Sequence, residues 1–362
     1  MRSDSARIEV DTARSPSKTR LTSRGEEPTD DAGSFRPDSG RRGACGRLRA
    51  GGLAVGRPDI ERASGRIAAW IRLTPVLEVE PETFGTPGSV TLKLECHQHT
   101  GSFKPRGAFN RILSNEVPDA GVIAASGGNF GLAVAYAASR LGHRAEVFVP
   151  ESTPEVKVHR LRAYGANVSI TGHFYAEALE AAEVRRADSG GLWVHAFDQP
   201  EMVAGNGTVG SELDEQVGDL DTLLVAVGGA GLIGGIAAWF RGDPRVVGVE
   251  TEGTASLAAA LAHGAPVDTE IGGIAADSLG ARRVGDIGFA IARRFVDRVT
   301  VVDDEAVKRA QRALWEDLRI VVEPGAAAPP AALLSGAYRP DEGERVGVLL
   351  CGANTDPRSI GA

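Results

Sequence analysis

The pattern of apolar and polar residues changes sharply near Pro58. Before this point apolar residues are scattered among Arg, Ser, Asp, Gly and Pro without a helical or alternating period. Such a segment buries too little apolar surface to offset its ordering entropy, so residues 1–57 are predicted to be disordered. From Pro58 onwards, short apolar runs alternate with amphipathic segments, and this pattern predicts a folded region.

The apolar runs that follow Pro58 are short and continuous. They predict strands over residues 90–95, 122–125, 145–149, 168–171, 222–227, 245–249 and 346–350. The segments between them predict helices over residues 60–71, 129–141, 155–164, 175–188, 208–216, 232–240 and 304–318. Fully apolar strands that alternate with helices are typical of parallel sheets covered on both faces. The predicted fold class is therefore α/β, with open twisted sheets and helices on both faces.

Composition and charge narrow the class of function. The net charge of −8 argues against a nucleic-acid partner. No apolar run approaches the roughly 18 residues that span a membrane, and the N-terminus lacks the apolar region of a secretory signal, so a cytoplasmic location without a membrane partner is predicted. The three cysteines, Cys45, Cys96 and Cys351, have no CxxC spacing, so neither a disulfide framework nor a zinc site is indicated.

One lysine stands where its neighbours favour an uncharged amine. The stretch TGSFKPRGAFN places Lys104 directly after Phe103 and before an apolar helix. Partial desolvation beside an aromatic ring disfavours the ammonium form, and a neutral amine is nucleophilic. Such an amine can hold a carbonyl cofactor as a Schiff base. A lone lysine at a helix start is more often an ordinary surface residue, so the interpretation depends on the segments that follow.

A glycine-rich turn follows the predicted strand that ends at Val227. Residues 228–231 lead into a helix, and the N–H groups and dipole of a helix N-terminus bind phosphate. With Gly234 the same residues spell GxGxxG, and Glu250, at the end of the next strand, would then bind a ribose. A nicotinamide-dependent dehydrogenase is therefore a minority interpretation, because it gives Lys104 no role.

Two further segments place polar groups at strand ends. Ser126, Gly127 and Asn129 lie between a strand and a helix, where their N–H groups and side chains suit a substrate carboxylate. Cys351 follows the last predicted strand, where ligands of open α/β sheets bind, and its thiol could face a ring nitrogen without forcing its protonation. Alone, each has a structural explanation: a tight turn capped by Asn129, and a small buried apolar residue.

Five motifs, in this order, resemble those of the pyridoxal-phosphate enzymes with the tryptophan synthase β fold, known as fold type II. They are SFKPRGA, SGGNFG, GGAGLIGG, VVEPGAAA and LLCGANTDP, and the similarity runs from about Asp59 to Pro357. Within this group the chain is most similar to the threonine/serine dehydratases. The resemblance implies that fold and pyridoxal 5′-phosphate as the cofactor.

The resemblance also implies a role for each matching residue. Lys104 would form the Schiff base with the cofactor and, with Ser126, would be catalytic. Phe103 would pack against the cofactor ring, Asn129 would bond its oxygen and Cys351 would face its nitrogen. The phosphate would be held by Gly228, Gly229, Ala230, Gly231 and Leu232. The substrate carboxylate would be held by Ser126, Gly127 and Asn129.

The implied reaction is a β-elimination. The freed amine of Lys104 would take the Cα proton of L-threonine or L-serine, the hydroxyl would leave, and hydrolysis would give a 2-oxo acid and ammonia. Another hydroxy amino acid, such as 3-hydroxyaspartate, is an alternative substrate. Gly127 stands where family members that racemise serine carry a second serine, so little racemase activity is expected.

Several positions depart from the family pattern. Glu250 matches the first acid of a cation site in related enzymes, but Ser256 replaces the last acid, so no metal is predicted and Glu250 is only a weak candidate ligand. The other departures are Phe130, Asn206, Ala230 and Ala326. If Ala230 needs a positive φ, strain of about 1 kcal/mol or more follows. Pro329 and Pro330 are expected only at the first turn of a helix. A catalytically impaired cofactor-binding relative is therefore a further alternative.

Two folded domains are expected to follow the disordered segment 1–57. Residues 58–114 and 201–362 would form a large cofactor-binding domain, and residues 115–200 would form a small mobile domain. The cofactor would lie in the cleft between them. The expected partner is a small hydroxy amino acid, and the resemblance implies a homodimer.

Overall fold

Ten strands and thirteen α-helices occur along residues 52–360, the part of the chain that the computed structural model describes. The strands are β1 (Val76–Val79), β2 (Val90–Lys93), β3 (Val122–Ala125), β4 (Ala145–Val149), β5 (Asn167–Ile170), β6 (Leu192–Trp193), β7 (Thr222–Ala226), β8 (Arg245–Thr251), β9 (Val296–Val302) and β10 (Val346–Leu349). The helices are α1 (Arg57–Ile67), α2 (Pro81–Phe84), α3 (Lys104–Leu113), α4 (Asn129–Arg140), α5 (Glu155–Ala163), α6 (Tyr175–Ser189), α7 (Pro200–Val217), α8 (Gly231–Phe240), α9 (Ser256–His263), α10 (Ala276–Leu279), α11 (Asp286–Phe295), α12 (Asp304–Leu318) and α13 (Pro324–Ser335).

The strands form two sheets. The six-stranded sheet has the order β1-β2-β10-β7-β8-β9, and the four-stranded sheet has the order β5-β4-β3-β6. β1 pairs antiparallel with β2, and every other pairing is parallel. Every residue of the inner strands β7, β10 and β3 is buried, as the continuous apolar runs predict. The predicted α/β class with open sheets is confirmed.

Helix α7 begins at Pro200 rather than at the predicted Thr208. Its first half contains Gly205 and Gly207, which lower helix propensity and hide the helical pattern. Both glycines are needed for close packing. A Cβ at Gly205 would lie 2.5 Å from the carbonyl oxygen of Arg106, and one at Gly207 would lie 2.8 Å from that of Gly235. Packing between helices therefore outweighs local propensity here.

Helix α13 corrects the expectation about the two prolines. It begins at Pro324 and continues through Pro329 and Pro330, which lie well beyond its first turn. A proline inside a helix removes a hydrogen bond and costs roughly 3 kcal/mol. Residues Gly325 to Leu333 are all buried, so tertiary packing holds this segment helical despite that cost.

The predicted disorder of the N-terminal segment and the predicted lack of a membrane-spanning segment can be compared only with residues 52–360. The predicted disorder of residues 1–57 falls mostly outside them. The described part begins at residue 52, and Val55 is already buried in the main core. Among residues 52–360, no helix has both the length and the apolar character needed to cross a membrane.

Candidate active site

Lys104 opens helix α3, and its side chain is held inside the protein. The Nζ atom donates a hydrogen bond to the carbonyl oxygen of Ala196 at 3.3 Å and lies 4.9 Å from the ring centre of Phe103. Burial lowers the pKa of Lys104 to about 8, although the nearby Cys351 and Glu323 act in the opposite direction. An amine with this pKa is partly neutral near pH 7, as a nucleophile or base requires.

The glycine-rich turn lies between β7 and α8. Ala230 has φ 62° and ψ 4°, so it adopts the left-handed conformation that an alanine disfavours. A Cβ at Gly229 would lie 2.3 Å from Cδ1 of Phe197, and one at Gly231 would lie 2.8 Å from the Phe197 Cβ. The turn therefore has no space for side chains at these positions.

The first N–H groups of α8 have no partner within the helix, so they can bind an anion.

The loop from Ser126 to Asn129 connects β3 to α4. The Ser126 hydroxyl accepts a hydrogen bond from the Gly128 N–H at 3.2 Å. The Asn129 Nδ2 atom donates to Oε1 of Glu323 at 2.7 Å, and its Oδ1 accepts from Nδ2 of Asn354 at 2.6 Å. Both polar atoms of the Asn129 side chain are therefore already oriented by the protein.

Gly127 has little space for a side chain. A Cβ at this position would lie 2.9 Å from Cγ2 of Thr153, so a serine would require a shift of the Thr153 methyl group. This contact agrees with the absence of a second serine after Ser126.

Cys351 lies just beyond β10, beside the start of α3. Its carbonyl oxygen accepts a hydrogen bond from the Phe103 N–H at 3.1 Å, which connects it to the segment that carries Lys104. Burial and the nearby Glu323 raise the pKa of the Cys351 thiol far above its usual range. The thiol is therefore neutral, as expected for a group that faces a ring nitrogen without protonating it.

Glu323 is a site residue that the sequence interpretation missed. It precedes α13 and is buried, and its Oε2 accepts a hydrogen bond from the Asn354 N–H at 3.2 Å. Burial raises its pKa to about 7, against the effect of the hydrogen bond from Asn129. The only sequence signal is a single acid inside the apolar motif VVEPGAAA. The motif indicates burial, but it does not identify the partners of the carboxylate.

One cavity brings most of the predicted site residues together. The predicted cofactor-binding residues that line it are Phe103, Lys104, Asn129, Gly228, Gly229, Ala230, Gly231, Leu232 and Cys351. Glu323, Phe197 and Leu279 complete much of the wall. Gly127 lines an adjoining pocket that shares Asn129 and Glu323 with the cavity. The Ser126 side chain lines neither space.

These residues fit a flat cofactor with a carbonyl group and a phosphate. The amine of Lys104 can bond to a carbonyl, the ring of Phe103 can pack against a flat ring system, and the turn formed by residues 228–232 accepts an anion where any side chain at Gly229 would clash. The same geometry gives no support to the dinucleotide interpretation. Glu250 has no exposed surface, and its two carboxylate oxygens accept from the N–H groups of Leu257 at 2.7 Å and Ala258 at 2.9 Å.

Glu250 therefore caps the start of helix α9. Burial raises its pKa to about 7, in spite of these backbone hydrogen bonds. Ser256, the position of the missing acid, is the first residue of α9. Within residues 52–360, no group of three or more His, Cys, Asp or Glu side chains is arranged to hold a metal ion.

The remaining departures from the family pattern lie inside the protein. Phe130 and Ala326 are buried in hydrophobic clusters. Asn206 is buried in α7, and its side chain forms no hydrogen bond with any described residue. Ala230 has the positive φ at which an alanine is strained.

Comparison with known proteins points to one family. The family described as "Pyridoxal-phosphate dependent enzyme" matches residues 67–352. A phenylserine dehydratase from Ralstonia pickettii is 36% identical over 308 residues, which cover 83% of this chain and 94% of that protein. An L-threonine ammonia-lyase from Geobacter sulfurreducens is 38% identical over 308 residues, covering 83% of this chain and 76% of that protein.

Solved structures with similar folds agree. Maize serine racemase superimposes with a TM-score of 0.80 at 31% identity, covering 85% of this chain and 96% of that one. A threonine deaminase from "T.th." superimposes with a TM-score of 0.78 at 36% identity, covering 83% of this chain and 99% of that one. The architecture is that of the fold type II pyridoxal-phosphate enzymes.

Proposed function

Because the chain belongs to the family of pyridoxal-phosphate dependent enzymes, we propose that it is a dehydratase, or ammonia-lyase, acting on a β-hydroxy amino acid. L-Threonine and L-serine are the simplest substrates, and the products are a 2-oxo acid and ammonia. The observation that carries the proposal is the single cavity in which the Lys104 amine, the anion-binding turn and Asn129 meet.

The cofactor supplies an aldehyde that bonds to an amine and a ring that takes up the electron pair left at Cα. Residues 228–232 bind its phosphate, and Phe103 packs against its ring. Asn129 is held in place by its hydrogen bonds with Glu323 and Asn354. From this position it would donate a hydrogen bond that orients the cofactor. The neutral thiol of Cys351 would face the ring nitrogen of the cofactor without giving it a proton.

Lys104 acts as the base that takes the Cα proton of the substrate. With a pKa lowered to about 8, its amine accepts the Cα proton near neutral pH and is still basic enough to hold it. The N–H groups between Ser126 and Asn129 bind the α-carboxylate and hold Cα near this amine. Gly127 provides no acid on the opposite face of the substrate, so elimination is favoured over racemisation.

The test combines spectroscopy with product formation. Protein supplied with pyridoxal phosphate should show visible absorbance, and borohydride should fix the cofactor on the peptide that contains Lys104. L-Threonine, L-serine, phenylserine and 3-hydroxyaspartate are then assayed for 2-oxo acid. The Lys104→Ala variant is the control and should give neither label nor product. A colourless wild-type protein would refute the proposal.

A second candidate is a cofactor-binding relative with little turnover. The left-handed conformation of Ala230 favours it, because strain in the phosphate-binding turn weakens the site. This candidate predicts the absorbance and the borohydride label without 2-oxo acid from any of the amino acids.

Two further properties belong to the proposal. We expect a homodimer, as the family resemblance implies, and size-exclusion chromatography coupled to light scattering tests it. We also expect a cytoplasmic location. Fractionation of the native host cells tests that expectation.

A further inference from the structure

A second pocket adjoins the cofactor cavity on the side of the proposed carboxylate loop. It shares Asn129 and Glu323 with the cavity, and Gly127, Gly128, Lys157 and Arg160 also line it. Lys157 and Arg160 both come from helix α5. Two cationic side chains therefore lie next to the position proposed for the substrate.

The charges of these two cations are balanced differently. The Lys157 Nζ lies 2.5 Å from Oδ1 of Asp277, so its charge is compensated by an ion pair. The Arg160 Nη2 donates to the side-chain oxygen of Asn354 at 2.5 Å, and that amide is neutral. Among residues 52–360, no carboxylate forms an ion pair with Arg160. A half-buried guanidinium thus has N–H donors to offer and no anion to receive them.

Two carboxylates line this pocket, and both are already occupied. Asp277 forms the ion pair with Lys157. Glu323 lines the same pocket, but it accepts hydrogen bonds from the Asn129 side chain and the Asn354 N–H. Its raised pKa of about 7 also means that much of it is protonated at neutral pH. Glu323 therefore does not supply the missing negative charge.

Arg160 is connected to the proposed substrate loop through a single residue. The Asn354 side chain accepts from Arg160 and donates to Asn129 at 2.6 Å. Gly127 and Gly128 of this loop line the same pocket as Arg160, so a substrate bound by the loop would lie next to the guanidinium group. Threonine and serine have no negative group to place there.

We propose that Arg160 is a specificity-determining residue that binds a second carboxylate on the substrate. The preferred substrate class is then the acidic β-hydroxy amino acids, of which 3-hydroxyaspartate is the simplest. A planar guanidinium binds a carboxylate through two parallel hydrogen bonds, which gives strong and directional selection. The inference rests on the proposed dehydratase function.

The test compares two amino acids with the same carbon skeleton. L-Threonine carries a methyl group on Cβ, and L-threo-3-hydroxyaspartate carries a carboxylate at the same position. The expected ratio of kcat/KM favours hydroxyaspartate by roughly 10-fold or more, and Arg160→Gln should lower that ratio by roughly 10- to 100-fold. Arg162→Gln, exposed on the same helix, is the matched control and should leave the ratio unchanged.

The outcomes separate this inference from the dehydratase proposal. If Arg160→Gln lowers kcat/KM equally for both amino acids, Arg160 binds the α-carboxylate or is structural, and the inference is overturned. If neither amino acid is turned over, the dehydratase proposal fails, and calorimetric titration with succinate and butyrate decides the inference. Weaker succinate binding to Arg160→Gln with unchanged butyrate binding supports an anion subsite, whereas equal binding of succinate to both proteins refutes it.

Discussion

Asn129 donates a hydrogen bond to Glu323 at 2.7 Å and thereby connects helix α4, next to the four-stranded sheet, with the start of helix α13. Asn354 completes the arrangement, since its N–H donates to Glu323 and its side chain donates to Asn129. The amide of Asn129 therefore has one orientation. A buried carboxylate lies one hydrogen bond from the residue proposed to orient the cofactor.

This contact predicts a pH-dependent stability. The pKa of Glu323 is raised to about 7 in the folded protein, so between pH 4.5 and 7 the folded state binds a proton that the unfolded state has lost. Its contribution is complete below about pH 4.5 and disappears as the pH rises through about 7. Glu323→Gln should flatten this decline by roughly 2–3 kcal/mol, at a cost of about 1 kcal/mol for the lost acceptor. Urea unfolding at pH 5 and pH 8 measures both effects.

Glu250 provides a matched control for Glu323. It is also buried, its pKa is also raised to about 7, and it also accepts two hydrogen bonds, but it caps α9 instead of contacting Asn129. Both Glu→Gln variants should flatten the pH dependence of stability. Only Glu323→Gln should also shift the pH profile of kcat/KM. Identical activity profiles for the two variants would contradict the role given to the contact with Asn129.

The lowered pKa of Lys104 predicts a reactive amine even without the cofactor. With a pKa of about 8, roughly a tenth of the amine is neutral at pH 7, compared with less than about 0.1% for an ordinary lysine. Labelling by trinitrobenzenesulfonate, followed by peptide mass spectrometry, should titrate with an apparent pKa of about 8. Lys308, partly exposed on α12, is the internal control for the reagent. Labelling of Lys104 that rises only above pH 10 would refute the prediction.

The parts that the sequence predicts are those whose cause is local. Buried strands such as β7 and β10 appear in the sequence as continuous apolar runs. The glycines around Ala230 indicate a tight turn, and Ala230 has the positive φ that such a turn requires. The ordered motifs also place Lys104 and Cys351 in one cavity, because the strand ends of such a fold converge.

The parts that the sequence does not predict depend on distant partners. Glu323 and Asn129 are far apart along the chain, and no periodicity indicates that they meet. Helix α7 begins early because its glycines allow close packing against α3 and α8, and α13 continues through Pro329 because burial outweighs the lost hydrogen bond. Each of these features is decided by tertiary contacts, which override local preference.

Gly288 on helix α11 is expected to control the shape of the phosphate-binding turn. A Cβ at Gly288 would lie 2.6 Å from the carbonyl oxygen of Ala230, a backbone atom that cannot move without distorting the turn. Gly288→Ala should therefore weaken pyridoxal phosphate binding by roughly 10-fold or more and destabilise the protein, by about 1–3 kcal/mol for overpacking. Fluorescence titration with the cofactor and urea unfolding measure the two effects.

Gly65 gives the comparison. It also lies inside a helix, α1, but a Cβ there would have no neighbour within 4 Å. Gly65→Ala should therefore show only the gain in helix propensity, about 0.5–1 kcal/mol of added stability, with unchanged cofactor affinity. If Gly288→Ala behaved like Gly65→Ala, the close packing of α11 on the turn would have no functional role.

Arg106 anchors α3, the helix that begins with Lys104, through buried ion pairs. Its side chain has no exposed surface, and it bonds to Glu95 at 2.7 and 2.8 Å and to Glu212 at 2.8 Å. Arg106→Met would leave the fully buried Glu95 without its cation, which costs about 3–5 kcal/mol. Arg111 lies on the same helix as Arg106 and forms a partly exposed ion pair with Glu201. Arg111→Met, which removes this pair, should cost about 1 kcal/mol or less.

A double variant separates the lost charge pair from the lost side-chain volume. In Arg106→Met with Glu95→Gln, the uncompensated buried charge is gone, so part of the stability should return, as replacement of a whole buried ion pair by neutral groups is often tolerated. Urea unfolding of the single and double variants measures the recovery. A double variant no more stable than Arg106→Met would mean that packing of the Arg106 side chain, and not its charge, anchors α3.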